Sequence, residues 1–166
     1  MKGYLGSKTP IEIRDSLETP DFLFNYYNKF FNFTTDVAAT FANRKCNDFR
    51  TNSLYNTDSL LMGWGRVNWC NPPYSDITPW IKKAIVERDK GNVTVVLVPE
   101  DSSTGWGGLA LAECSEYHNI VGRISFIDPQ TRKPKNGNNK GSRVYIFSPF
   151  GFNRGQSVTV FREDMK

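Results

Sequence analysis

Short branched apolar runs alternate along this chain with segments whose apolar residues recur every third or fourth position. Val93-Thr94-Val95-Val96-Leu97-Val98-Pro99 is the clearest run. Its near-continuous branched character predicts a strand at the centre of a parallel sheet, covered on both faces. Residues 66–70 predict a second buried strand and 31–37 a third. Phe22, Leu23, Tyr26, Tyr27 and Phe30 recur at helical spacing. Thr19-Pro20-Asp21 before them reads as a helix start, with Thr as N-cap, Pro at the first helical position and an acid in the first turn. Trp80, Ile81, Ala84 and Ile85 mark the inward stripe of a helix over 79–90, which Gly91 ends. A short helix is expected over 38–43, a weaker strand or loop over 51–58, and a helix over 106–117. Strands are expected over 123–127, 143–148 and 157–162, the last two as a closing antiparallel hairpin.

Strands alternating with helices predict an open, mostly parallel α/β sheet. Residues 1–18 read as an irregular arm and 19–166 as a single domain. Ligands of such sheets sit at the carboxyl ends of the strands. Asp36, Asp58, Asn71 and Pro99 all fall at predicted strand ends, so one shared site is expected.

Asn71-Pro72-Pro73-Tyr74 carries the most specific chemistry. Two prolines after a strand stop pairing and fix the backbone direction. The residue before each proline is held extended, so Asn71 projects its amide from a rigid strand end beside the ring of Tyr74. A side-chain carbonyl, the Pro72 carbonyl and an aromatic plate suit a planar group bearing an amine. The exocyclic amine of adenine is a poor nucleophile because its lone pair is delocalised into the ring. Two acceptors would favour a more tetrahedral nitrogen, ready to take a methyl group from a sulfonium placed in line. Positioning and fixed dipoles supply most of such an acceleration. A base within a duplex must be flipped out to reach the site. Asn-Pro and Pro-Pro are also ordinary turn signals, and a loop is the other reading; the strand before, the Tyr and the helix after favour a site.

Composition narrows the classes. The 166 residues are 39% hydrophobic and 14% aromatic, enough for a globular core. The net charge of +4 and a pI near 9.0 permit a polyanionic partner. Cys46, Cys70 and Cys114 lack metal-ligand spacing and read as buried thiols in a reducing compartment. With His118 the only histidine, multi-histidine metal sites and Ser-His or Cys-His hydrolases are not expected, and no metal is called for. No signal peptide or membrane span is read from the sequence.

Taken in order, these residues resemble the phage-type DNA N-6-adenine-methyltransferases. Thr19-Pro20 before an aromatic helix is followed by Asp36-Val37-Ala38-Ala39, residues 43–46, Asp58 and Trp64. Asn71-Pro72-Pro73-Tyr74-Ser75, Trp80, a strand ending at Pro99, Trp106 and Gly122-Arg123-Ile124-Ser125-Phe126 complete the set. The resemblance covers roughly residues 17–150, and its Asn-Pro-Pro-Tyr motif is specific to amino-methyltransferases in general. It implies a Rossmann-like fold, S-adenosylmethionine as cofactor, DNA as partner, a phage or prophage origin and a cytoplasmic site of action. Residues 19–166 would then be a single methyltransferase domain. By position, Asn71, Pro72, Pro73 and Tyr74 would hold the target base, and Thr19, Pro20, Asp36, Ala38 and Asp58 the cofactor. The chain departs from the glycine-rich turn that many adenine methyltransferases carry after the first strand; here it reads Asp36-Val37-Ala38-Ala39-Thr40.

Several residues have a second reading. Asp36 also suits a helix cap, Asp58 a loop acid, and Arg123 a structural ion pair. Trp64, Trp80 and Trp106 read as core or rim aromatics. Arg132, Lys133, Lys135, Lys140 and Arg143 surround a Gly/Asn-rich segment, which is either a solvated loop or a track for DNA phosphates. Methylation of RNA adenine or of a protein glutamine amide is the alternative activity. A catalytically silent nucleic-acid-binding domain is the alternative of another class.

Overall fold

The computed structural model describes residues 10–51, 58–136, 138–151 and 154–166. Strands β1 (Thr35–Asp36), β2 (Asp48–Phe49), β3 (Val67–Cys70), β4 (Val93–Pro99), β5 (Glu116–Val121), β6 (Ser142–Phe147) and β7 (Gln156–Phe161) build one sheet in the order β2-β1-β3-β4-β6-β5-β7. The neighbours β2-β1-β3-β4 run parallel, and so do β5 and β7. Only β6 is reversed, pairing antiparallel with β4 and β5. The fold is thus the mostly parallel open α/β sheet that the periodicity predicts.

Helices α1 (Ile11–Ser16), α2 (Asp21–Phe31), α3 (Thr78–Asp89) and α4 (Gly105–Glu113) complete the chain with a short 3₁₀ helix, Arg162–Met165. Strand β4 explains the layering. Val95 and Leu97 face a cluster with Leu23, Phe24 and Tyr27 of α2 and Trp69 of β3. Val96 and Val98 face the opposite cluster, with Trp80, Ile81 and Ala84 of α3 and Ala110 of α4. Alternate residues of a strand point to opposite faces, so a strand covered on both sides is near-continuously apolar. Among the described residues no helix is long and apolar enough to cross a membrane.

Six expectations are corrected. The carboxyl-terminal strands do not form a hairpin, because β5 lies between β6 and β7. That strand occupies the end of the segment expected as helix over 106–117. Helix α4 stops at Glu113: Cys114 turns extended, at φ −70° and ψ 152°, and the Ser115 amide donates to the Ile146 carbonyl across the sheet. Residues 123–127 are not a strand but a connector, with Ile127 bridging Glu18 and Pro134. The expected helix over 38–43 is a turn: the Thr40 amide donates to the Asn43 side chain and the Asn43 amide to the Thr40 hydroxyl. Those reciprocal side-chain bonds compete with helical pairing. Thr19 is also not the cap of α2, whose N-cap is Pro20 with no side-chain capping bond. The arm is not wholly irregular, since it contains α1. Most of the strand or loop expected over 51–58 lies outside the described residues; Thr51 and Asp58 at its ends pair as a parallel bridge.

Candidate active site

The chain passes from β1 to β2 on one side, then returns to place β3 on the other side of β1. That reversal is a topological switch point, where ligands of open α/β sheets bind. Strand β1 ends at Asp36 and β3 at Cys70, with Asp36 in register with Trp69. Asp36 and Asn71 are therefore brought to the same crevice by pairing alone. A narrow cleft there is lined by Thr19, Asp36, Ala38, Lys45, Trp69 and Asn71, with Asn43 and residues of the arm at its rim.

Asp36 is almost fully buried, at 4% exposure. Its carboxylate accepts the Lys45 amide at 2.9 Å and the Ala38 amide at 3.4 Å. Val37 N–H donates to Trp69 and Ala39 N–H to Arg50. These four bonds shape the turn after β1 without positive φ, which among described non-glycine residues occurs only at Asn32 and Arg132. The turn therefore does not need the glycines it lacks. Burial pushes the Asp36 carboxyl up to about 6, against the backbone amides and the nearby Lys45 charge. Among the described residues Asp36 forms no ion pair, since the nearby Lys45 ammonium is paired with Asp21, and such a buried carboxylate is a place for a cation.

The Asn71 turn is fixed from both sides. Pro72 is buried, and Ile77 and Trp80 beyond it pack into the α3 face of the core. Asp15 of the arm accepts both the Ser75 amide, at 3.1 Å, and the Ser75 hydroxyl, at 2.5 Å. Among the described residues no group bonds to the Asn71 side-chain amide. Tyr74 is half-buried; its hydroxyl donates to the Leu97 carbonyl at 3.4 Å and its ring meets Phe126 edge-on at 5.9 Å. Burial pushes its phenol well above the usual range, so it stays neutral.

Asp58 caps its own turn, accepting the Leu60 amide at 3.0 Å. Next to it, Ser59 donates to the Val37 carbonyl at 2.5 Å, tying this turn to the end of β1. Asp58 does not line the cleft between Asp36 and Asn71. Trp64 and Trp80 stack on each other in the core, 6.2 Å apart.

The basic segment is largely engaged. Arg132 donates twice to Glu18, each at 2.7 Å, and Lys140 pairs with Asp101. Arg143 is 7% exposed and donates to Asn119, Tyr145 and Glu100, locking β6 to its neighbours. Lys133 is exposed and Lys135 half-buried. Lys45 and Trp69 were not singled out from the sequence. Lys45 had no periodicity to mark it, and Trp69 was legible only as a core strand residue.

All three thiols are pushed up by burial and stay protonated near neutrality. Among the described residues no cluster of His, Cys, Asp or Glu could hold a metal ion.

The mostly parallel sheet, with Asp36 and Asn71 brought together at its switch point, has the architecture of a Rossmann-like methyltransferase fold. The chain belongs to the family described as DNA N-6-adenine-methyltransferase (Dam), whose profile matches residues 6–166. A DNA N-6-adenine-methyltransferase of Escherichia phage T1 is 32% identical over 161 residues, covering 86% of this chain and 66% of that protein, just under two thirds of its length. A DNA N-6-adenine-methyltransferase of Haemophilus phage HP1 (strain HP1c1) is 34% identical over 148 residues, covering 86% of this chain and 84% of that protein.

Proposed function

We propose that this protein transfers a methyl group from S-adenosylmethionine to the exocyclic amine of adenine in DNA. The observation that carries this reading is the Asn71-Pro72-Pro73-Tyr74 turn beginning beside a buried carboxylate that has no ion pair among the described residues, at the switch point, in a chain of this family. The residues fit the cofactor: its amino-acid ammonium suits the Asp36 carboxylate, which has no ion pair among the described residues, and Thr19 and Ala38 line the same cleft, while Pro20 follows Thr19 in the chain and lines the neighbouring cleft. Asp58, on the turn tied to β1, is assigned to the adenosine end. When bound, S-adenosylmethionine supplies an electrophilic methyl group on a sulfonium.

The chain's own work is to hold the amine. The Asn71 side-chain oxygen and the Pro72 carbonyl each accept one N–H of the target amine. Pro72 and Pro73 keep these acceptors from relaxing as the nitrogen becomes tetrahedral. Such acceptors act chiefly in the transition state and need no strong base. Tyr74 provides the plate for the base.

Incubation with methyl-labelled S-adenosylmethionine and DNA, RNA of the same sequence, or protein tests the reading. The expected product is N-6-methyladenine in DNA. Label confined to RNA or to glutamine would overturn it in favour of that substrate, and cofactor binding with no transfer would point to a silent binding domain.

Tyr74 separates ring from hydroxyl. Tyr74→Phe loses only a long bond to Leu97, and activity within a few fold of the parent is expected. Tyr74→Ala loses base stacking, worth on the order of 1–3 kcal/mol. Equal damage in both variants, read from kcat/KM, would show that the hydroxyl matters more than the ring.

A further inference from the structure

We propose that the DNA strand carrying the target adenine lays its phosphodiester backbone in a second cleft, on Arg123 and Arg162. This deepens the functional reading above and rests on it. The cleft has a volume of about 480 Å³, and its basic side chains are Lys45, Arg123, Arg132, Arg162 and Lys166. Its two acids are already paired, Glu18 with Arg132 and Asp21 with Lys45 at 2.5 Å. Arg123, Arg162 and Lys166 therefore leave the cleft positive, and among the described residues none of the three has an ion-pair partner. That charge suits a polyanion, and guanidinium groups match phosphate oxygens in a bidentate fork.

Arg162 is held in place, and Arg123 is exposed beside it. The Arg162 side chain lies over Gly122, whose φ is +101°; a Cβ there would sit 3.1 Å from Arg162 Cβ. Its Nη1 donates to the Arg123 carbonyl at 3.0 Å, while its buried Nε has no hydrogen-bond partner among the described residues. Such an unpaired buried donor is costly until an acceptor arrives.

The cleft adjoins the transfer site. Glu18 and Lys45 line both clefts. Residues 123–127 join them physically: Ser125 and Ile127 face the basic cleft, and Phe126 between them meets the ring of Tyr74. A strand whose phosphates rest on Arg123 and Arg162 would have its bases beside the Asn71 turn. The Gly/Asn-rich loop offers less, since Arg132, Lys140 and Arg143 are already bound to protein acceptors.

The test is the salt dependence of duplex DNA binding by Arg123→Gln/Arg162→Gln, read by fluorescence anisotropy. Each lost phosphate contact should lower the log-log salt slope by about 0.9, so a fall of about two is expected, similar across sequences. Arg123→Lys/Arg162→Lys should keep the slope. Cofactor affinity by calorimetry should match the parent and reports that the fold is intact. Should the double variant fail to bind cofactor, the exposed single variant Arg123→Gln carries the test, with a fall of about one. A variant slope equal to the parent's, where the parent methylates DNA, overturns the cleft and leaves the activity standing. A larger fall on neutralising Lys133, Lys135 and Lys140 than on neutralising the two arginines overturns it in favour of the loop. Tighter binding of duplex RNA through the same pair also overturns it. A parent that transfers no methyl to DNA overturns the functional reading and the cleft together.

Discussion

Asn71→Ala is expected to lower methyl transfer by about 10²–10³ while leaving cofactor affinity within a few fold. Asn71 stands at the end of β3, one residue past the last paired position, Cys70 with Val96. Its amide bonds to no other described group, so truncating it orphans no protein partner and should not unfold the turn. Pro72 is buried and Ser75 is held by Asp15, which keeps the backbone path in the variant. What is lost is one of two acceptors for the target amine, and the loss falls on the step in which that nitrogen becomes tetrahedral. Single-turnover rates at saturating cofactor and DNA isolate that step. Asn71→Asp sharpens the test, because it keeps an acceptor of the same shape and should retain more activity than alanine. Turnover of Asn71→Ala near the parent rate would remove the basis for the proposed transfer mechanism.

The sequence exposes this site because its two anchors depend on local signals. Strand β4 is apolar at every position that contacts a core face, and β3 ends abruptly in Pro72-Pro73. Those signals place Asn71 at a strand end, and Asp36 ends the short strand that pairs with β3. Strand β5 shows where local signals fail. Glu116–Val121 breaks alternation at His118-Asn119, is mostly half-buried, and follows closely on the Ala- and Leu-rich α4. Its strand state comes from pairing on both sides, to β6 and β7. Missing it turned β6 and β7 into apparent hairpin partners. The basic cleft was hidden for a similar reason. Its charges come from residues 45, 123, 132, 162 and 166, far apart in the chain, whereas the conspicuous cluster over 132–143 is mostly occupied by partners such as Glu18 and Asp101. Local density of charge did not reveal which cations remain uncompensated.

Asp36→Asn is expected to weaken S-adenosylmethionine binding by about 10–100-fold, the value of a charge-assisted bond of roughly 1.5–3 kcal/mol. The pH dependence gives the more specific result. Burial raises the Asp36 carboxyl from 3.8 to about 6 in the free protein. A raised carboxyl favours the native state when protonated, so its contribution to stability is fully present below about pH 4 and is lost as pH rises through about 6. A bound ammonium reverses the preference, because the anion then gains a partner in the same low-dielectric site. Binding below pH 6 must therefore expel a proton from Asp36. Cofactor affinity should rise about tenfold per pH unit up to that point and level off above it. Calorimetry in buffers of different ionisation enthalpy should detect proton release below pH 6 and little above it. In Asp36→Asn both the slope and the proton release should vanish, while DNA affinity changes little. The neutral amide can still accept from Lys45 or Ala38, which preserves most of the turn and separates charge from shape. Parent-like affinity with a parent-like pH profile in a folded Asp36→Asn protein would confine Asp36 to organising the turn after β1.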